Sequence, residues 1–157
     1  MSGAEAVRYG TTGPAVAAFG HVESTSLPIA ATVERLRNAI EAAGLWVLQE
    51  IDPQAILAKG GHSIMPVRQI LFFHPDLMVR LLEADPAALL EAPLKFAVMA
   101  LPDGTVSVRW IDPAAPFARY GSTALAALGR ELAVTCGRIA AAALAPLGEA
   151  EHPDAVP

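Results

Sequence analysis

The feature that most constrains the fold is the run Ile70-Leu71-Phe72-Phe73, which ends at His74-Pro75. A strand points successive side chains to opposite faces, so an apolar run without alternation requires cover on both. The stretch 68–74 therefore predicts a buried strand at the centre of a sheet, with other elements packed around it. Pro75 opens a helix over 75–83, because proline fits the first helical turn, and Leu77, Met78, Leu81 and Leu82 form its inward face. A strand end that meets a helix N-terminus is a place where a site can form.

The remaining elements follow from periodicity and punctuation. Residues 1–13 are small and polar and predict a flexible N-terminal segment, and residues 149–157 a tail. Residues 16–24 predict a first strand, placed at a sheet edge because Gly20 weakens it. Ser26 is a candidate N-cap for an amphipathic helix carrying Val33, Leu36, Ile40 and Ala43, and Gly44 is its C-terminal stop. A second strand over 45–52 ends at Asp52-Pro53, and a short helix over 54–59 ends at Gly60-Gly61. Residues 62–67 read as a connection and 87–91 as a short helical turn.

Residues 94–101 and 105–112 predict a hairpin around Pro102-Asp103-Gly104. If Ala100 faces Val106, then Val98 faces Val108 and Phe96 faces Trp110, which makes one apolar face and leaves Lys95, Met99, Ser107 and Arg109 on the other. A long helix over 122–145 follows, capped by Ser122. Its apolar stripe is Leu125, Leu128, Leu132, Cys136 and Ile139, and a second stripe of Gly129, Ala133, Gly137 and Ala141 suits close approach of another helix. This order predicts an α+β fold: a two-layer sandwich with an about five-stranded mixed sheet and helices packed mainly on one face. The body of the chain, 14–148, reads as one domain.

Charge and composition exclude several function classes. The net charge of −5 and the scatter of the basic residues leave no phosphate-backbone patch, so no nucleic-acid partner is expected. The most apolar stretch, 124–147, is interrupted by Arg130, Glu131 and Arg138, so no membrane span is expected. Residues 1–14 lack the basic start and apolar core of a signal peptide, and Cys136 is the single cysteine, which together predict a cytoplasmic protein. Charged residues are only 17% of the chain against 54% hydrophobic, few for covering a monomer's surface, so a homo-oligomer is expected.

Several constellations of residues could carry chemistry. His62 with Met65, and His74 with Met78, combine imidazole nitrogen with thioether sulfur, a donor set that suits copper or an axial haem ligand. The same methionines also read as core fillers. Arg68 and His74 beside the helix N-terminus at Pro75, and Lys95 with Arg109 on the hairpin, are candidate ligand-binding groups for a small molecule or anion. Each of these cations also reads as solvated or paired with a carboxylate. Asp52 and His74 would form a catalytic acid–base pair if their strands ran adjacent and parallel. Cys136, on an inward stripe, reads as inert core. No nucleophile elbow, phosphate loop or dinucleotide fingerprint is present.

The segment 26–113 resembles the domain of unknown function 302 family. The resemblance rests on Thr32-Val33-Glu34-Arg35-Leu36, Gly44, Ile51-Asp52, Leu71-Phe72-Phe73-His74-Pro75, and Ala92-Pro93-Leu94-Lys95 leading into Asp103-Gly104. The chain departs from the family's commonest patterns at Pro53 and at Phe73-His74. The resemblance implies a compact α+β domain that tends to dimerise, and no established activity. The readings carried forward are a small-ligand or metal-binding domain, a small enzyme using a His/Asp pair, and a structural or regulatory homodimeric partner protein.

Overall fold

The computed structural model describes residues 3–10 and 16–146. The expected tail over 149–157 lies outside them. In chain order the elements are β1 (Glu5–Ala6), α1 (Val16–Phe19), β2 (Gly20–Thr25), α2 (Ile29–Ala42), β3 (Trp46–Ile51), α3 (Pro53–Lys59), β4 (His62–Ser63) and β5 (Val67–Phe73). There follow α4 (Pro75–Ala84), a 3-10 helix over Pro86–Glu91, β6 (Leu94–Ala100), β7 (Val106–Ile111), α5 (Ala114–Phe117), a 3-10 turn over Ala118–Tyr120, and α6 (Thr123–Leu144). The fold is α+β.

Five strands form one sheet in the order β2-β7-β6-β5-β3, and every neighbouring pair in it is antiparallel. Among the described residues, parallel pairing occurs only in a separate two-stranded sheet of β1 and β4. That small sheet corrects two expectations. Glu5 and Ala6 are not loose but pair with His62 and Ser63, and the 62–67 connection begins as a strand. The stretch 16–24 also divides, with a helical turn at Val16–Phe19 before the edge strand β2.

The strand that ends at His74 is interior but not central. The middle of the sheet is β6, with β5 between it and the edge strand β3. The apolar run of β5 is nonetheless covered: Ile70, Phe72 and Phe73 are buried, and Leu71 is half-buried. Ile70 and Phe72 share a core with Phe96 and Val98 of β6 and Val106, Val108 and Trp110 of β7. Val33, Leu36 and Ile40 of α2 cover that face together with Cys136, Ile139, Ala140 and Ala143 of α6. Each large side chain removed from water there contributes roughly 1.5–3 kcal/mol.

The first half of α6 has a different partner. Leu125, Leu128 and Leu132 pack with Phe73, Leu81, Ala88 and Phe117 in a second cluster. One long helix thus joins the sheet layer to α4 and α5. Leu82, expected inward, is exposed at 40% because the turn of α4 that carries Leu81 faces the cluster. Gly129 lets α5 approach: a Cβ there would lie 2.6 Å from Phe117 Cβ and 3.0 Å from the Pro113 carbonyl oxygen. Gly137, in the same small-residue stripe, faces open space.

Local chemistry explains most boundaries. The C-terminus of α2 is a Schellman motif, with Gly44 N–H donating to the Glu41 carbonyl at 2.9 Å and Leu45 N–H to the Ile40 carbonyl at 3.1 Å. Gly44 takes φ 79°, which a side chain would resist. At its other end Pro28 holds the cap position without a side-chain bond, so Ser26 is not the cap. Ser122 Oγ does cap α6, accepting from Leu125 N–H at 3.2 Å.

Candidate functional site

The junction at His74 is satisfied internally. His74 is the N-cap of α4, and its Nδ1 accepts from Asp76 N–H at 3.1 Å, using one of the donors an anion would need. Its ring meets the edge of Trp46 at 5.4 Å. Asp52 caps α3, accepting from Ala55 N–H at 3.0 Å, and pairs with Arg68 Nη1 at 2.9 Å. Arg68 also donates to the Val67 carbonyl at 2.7 Å.

These contacts separate the groups that the sequence invited one to join. Strands β3 and β5 are adjacent but antiparallel, with Ile51 opposite Gln69 and Trp46 opposite Phe73. Asp52 therefore leaves the ladder at one end and His74 at the other, with roughly 14 Å of strand between, at ~3.4 Å per residue. A longer span, roughly 20 Å for six residues at ~3.4 Å each, separates Arg68 from His74, so they do not form one anion site. It also separates His62 and Met65, before β5, from His74 and Met78, beyond it. The four copper or haem donors are thus split, and His62 and Met65 are exposed. Among the described residues no group of three or more His, Cys, Asp or Glu side chains is placed to hold a metal ion.

The structure does bring Lys95 and Arg109 together. The β6–β7 ladder pairs Ala100 with Val106, Met99 with Ser107, Val98 with Val108 and Ala97 with Arg109, and stops there. Beyond it, Lys95 and Phe96 stay on β5, opposite Leu71 and Ile70, while Trp110 and Ile111 pair with His21 and Gly20 of β2. The two strands are drawn apart by their outer neighbours, and a cleft of about 340 Å³ opens between them. On the core side the gap is bridged by aromatic rings: Phe96 meets Trp110 edge-on at 5.5 Å and stacks on Phe72 at 4.9 Å.

The cleft has apolar walls and few polar groups. Leu90, Pro93, Leu94, Trp110, Ile111 and Phe117 supply most of the lining. Lys95 and Arg109 reach it from the sheet face opposite the core, Arg109 at the last rung of the ladder and Lys95 two residues beyond it. Arg109 Nε donates to Ser107 Oγ at 3.3 Å. Neither cation belongs to any of the five ion pairs among the described residues. Glu91 is the carboxylate on the wall, and its Oε1 accepts from Tyr120 Oη at 2.8 Å, an interaction that raises the Tyr120 pKa. Cys136 lines the inner end, and burial pushes its thiol up to about 12, with the charge of Asp112 adding to the effect. It is a neutral wall atom at physiological pH, as expected of an inward cysteine.

A pair that the sequence did not suggest stands at the cleft. His21 lines it, stacks on Trp110 at 5.0 Å, and meets Asp112 Oδ2 through Nε2 at 3.1 Å. Asp112 is itself held, because Oδ1 accepts from Ala114 N–H at 2.9 Å at the start of α5. Ninety-one positions separate these partners, and only the pairing of β2 with β7 joins them.

Comparison with known proteins places the chain. The family model described as Domain of unknown function DUF302 matches residues 21–143. The chain belongs to this family. A crystal structure of an uncharacterized conserved DUF302 protein from Bacillus stearothermophilus is similar, with a TM-score of 0.70 and 21% identity over 80% of this chain and 95% of that one. At that identity the likeness shows the shared fold. No curated protein matches the chain. The DUF302 match runs beyond the segment 26–113 on both sides, taking in β2 from His21 onward and nearly all of α6. It therefore includes every element that lines the cleft except the turn α1. The family carries no established activity, and no helix of the described residues is long and apolar enough to cross a membrane.

Proposed function

We propose that this DUF302 domain is a small-molecule binding module that takes a largely apolar anion in the cleft between the splayed ends of β6 and β7. The observation that carries this reading is the position of Lys95 and Arg109. Both line an apolar cavity, and neither has a carboxylate partner among the described residues. Arg68, the other candidate cation, is occupied by Asp52. An apolar pocket with a few convergent polar groups is the usual form of a ligand site. A carboxylate would gain two charge-assisted contacts while its body displaced water from Leu94, Trp110 and Phe117.

Phenylacetate is a suitable probe. Calorimetric titration should show saturable binding that is lost by at least about tenfold in the Lys95→Ala/Arg109→Ala double variant, the scale of one or two charge-assisted bonds. Unfolding free energy should stay within about 0.5 kcal/mol for the exposed Lys95 alone. Absence of binding, or equal binding by the double variant, would remove the reading.

A second observation favours a homodimer as the working state. Ala133, Gly137 and Ala141 of α6 line a groove of about 610 Å³ beside His21 and Glu23 of the edge strand β2, and Gly137 opens onto it. A helix or strand edge of a second copy would fit such a small-residue surface. Light scattering tests this: Gly137→Leu should yield monomer if that groove is the interface, and a mutant that remains dimeric would place the interface elsewhere.

A further inference from the structure

We infer that the cleft selects an anion bearing a hydrogen-bond donor at its far end, a hydroxylated aryl carboxylic acid being the simplest example, and that His21 reads this donor. The inference rests on the proposed anion site and extends it from charge to ligand class. The polar groups of the cleft stand on opposite walls. Lys95 and Arg109 approach from the open face of the sheet, whereas His21 pairs with Trp110 in the β2–β7 register and shares its face, the core side. An apolar lining lies between, so a ligand that satisfies both walls is polar at two ends with an apolar body.

The sense of the far contact follows from Asp112. Its carboxylate only accepts, so the His21 nitrogen that meets it, Nε2, carries the hydrogen. In the neutral ring Nδ1 is then an acceptor. Asp112 cannot rotate to offer anything else, because its second oxygen is engaged by Ala114 N–H. Stacking on Trp110 fixes the plane of the imidazole. His21 is therefore a positioned acceptor whose preference is set by a neighbour that does not line the cleft itself.

This arrangement can be inverted without disturbing the fold. In Asp112→Asn the amide oxygen can still accept from Ala114 N–H, while the amide nitrogen donates to Nε2. The hydrogen of the neutral imidazole then moves to Nδ1, which becomes a donor. The two ligands to compare are 4-hydroxyphenylacetate, which can donate at its far end, and 4-methoxyphenylacetate, which can only accept there. Both are titrated calorimetrically at about pH 8.

The wild-type protein should bind the hydroxyl compound about three- to tenfold more tightly, the worth of one neutral hydrogen bond. Asp112→Asn should reverse that ratio. His21→Leu should bring it close to unity while both compounds still bind through Lys95 and Arg109. Equal affinities in the wild type, or an unchanged ratio in Asp112→Asn, would overturn the inference and leave the anion site standing. Failure of both compounds to bind the wild type would overturn the anion site and this inference together.

Discussion

The two ends of the β6–β7 hairpin are made of similar residues and do opposite things. At the turn end the strands are locked: Ala100 opposes Val106, Leu101 N–H donates to the Thr105 carbonyl at 2.9 Å, and Asp103 Oδ1 accepts from both Thr105 N–H and Thr105 Oγ1. At the other end the ladder fails after Ala97 and Arg109, each strand follows its outer neighbour, and a cleft opens. The closed end is set by contacts within a few residues, while the open end is set by β2 and β5, which are distant in sequence. A sheet position thus becomes a candidate site where pairing is lost rather than where an unusual residue occurs.

The hinge between the two regimes is Phe96, fully buried and in ring contact with both Phe72 and Trp110. Phe96→Ala should therefore give the largest effect, about 3–5 kcal/mol from lost burial and a residual cavity, read by urea unfolding. A loss well below 2 kcal/mol would mean that the open end is not anchored by these rings.

Titration of Cys136 probes the inner wall of the open end. Its pKa stands at about 12 against 9.0 ordinarily, so the folded state holds the thiol proton over a range where the unfolded chain has released it. The folded pKa is the higher one. The stabilisation is therefore complete below about pH 9 and declines as pH rises towards 12, at up to about 1.4 kcal/mol per pH unit. Unfolding curves for wild type and Cys136→Ala should converge over that window. Parallel curves would mean that water already reaches the thiol through the cleft.

A smaller effect comes from Gly129, where a Cβ would press on Phe117, a cleft-lining residue. Overpacking of this kind costs about 1–3 kcal/mol, offset by about 1 kcal/mol of helix propensity in Gly129→Ala. Since α5 must yield, phenylacetate binding should weaken along with stability. A variant that loses stability and keeps its affinity would show that α5 is only a bystander to the cleft.

Much of the fold was legible because it is written locally. Alternation in 94–101 and 105–112, the turn at Pro102-Asp103-Gly104, the cap at Ser122 and the stop at Gly44 each need only a few neighbouring residues, and each appears where expected. The register of the hairpin was readable for the same reason, down to Val98 opposite Val108. What could not be read was strand order. With β6 rather than β5 in the middle, and β3 antiparallel to β5, Asp52 and His74 fall at opposite ends of a ladder. His74 also has a local task, capping α4 ahead of Pro75 and Asp76. Lys95 and Arg109 could be placed on one face by period alone, but the cleft between them could not, because splaying comes from long-range pairing. His21 and Asp112 left no sequence signal beyond an aspartate before Pro113.

A last effect, of similar size, tests whether the two ends of the hairpin are independent. Gly104 has φ 85° and open space around the position of a Cβ, so Gly104→Ala meets backbone strain and no collision. The expected cost is about 1–2 kcal/mol, the left-handed penalty for a side chain, seen as a lower urea midpoint with unchanged slope. Phenylacetate affinity should not move, because Ala97 and Arg109 remain paired between the turn and the cleft. Lys95→Ala should do the converse, weakening binding while leaving the midpoint in place. If Gly104→Ala weakened binding in proportion to stability, the hairpin would act as a single lever, with its turn setting how far the far ends part.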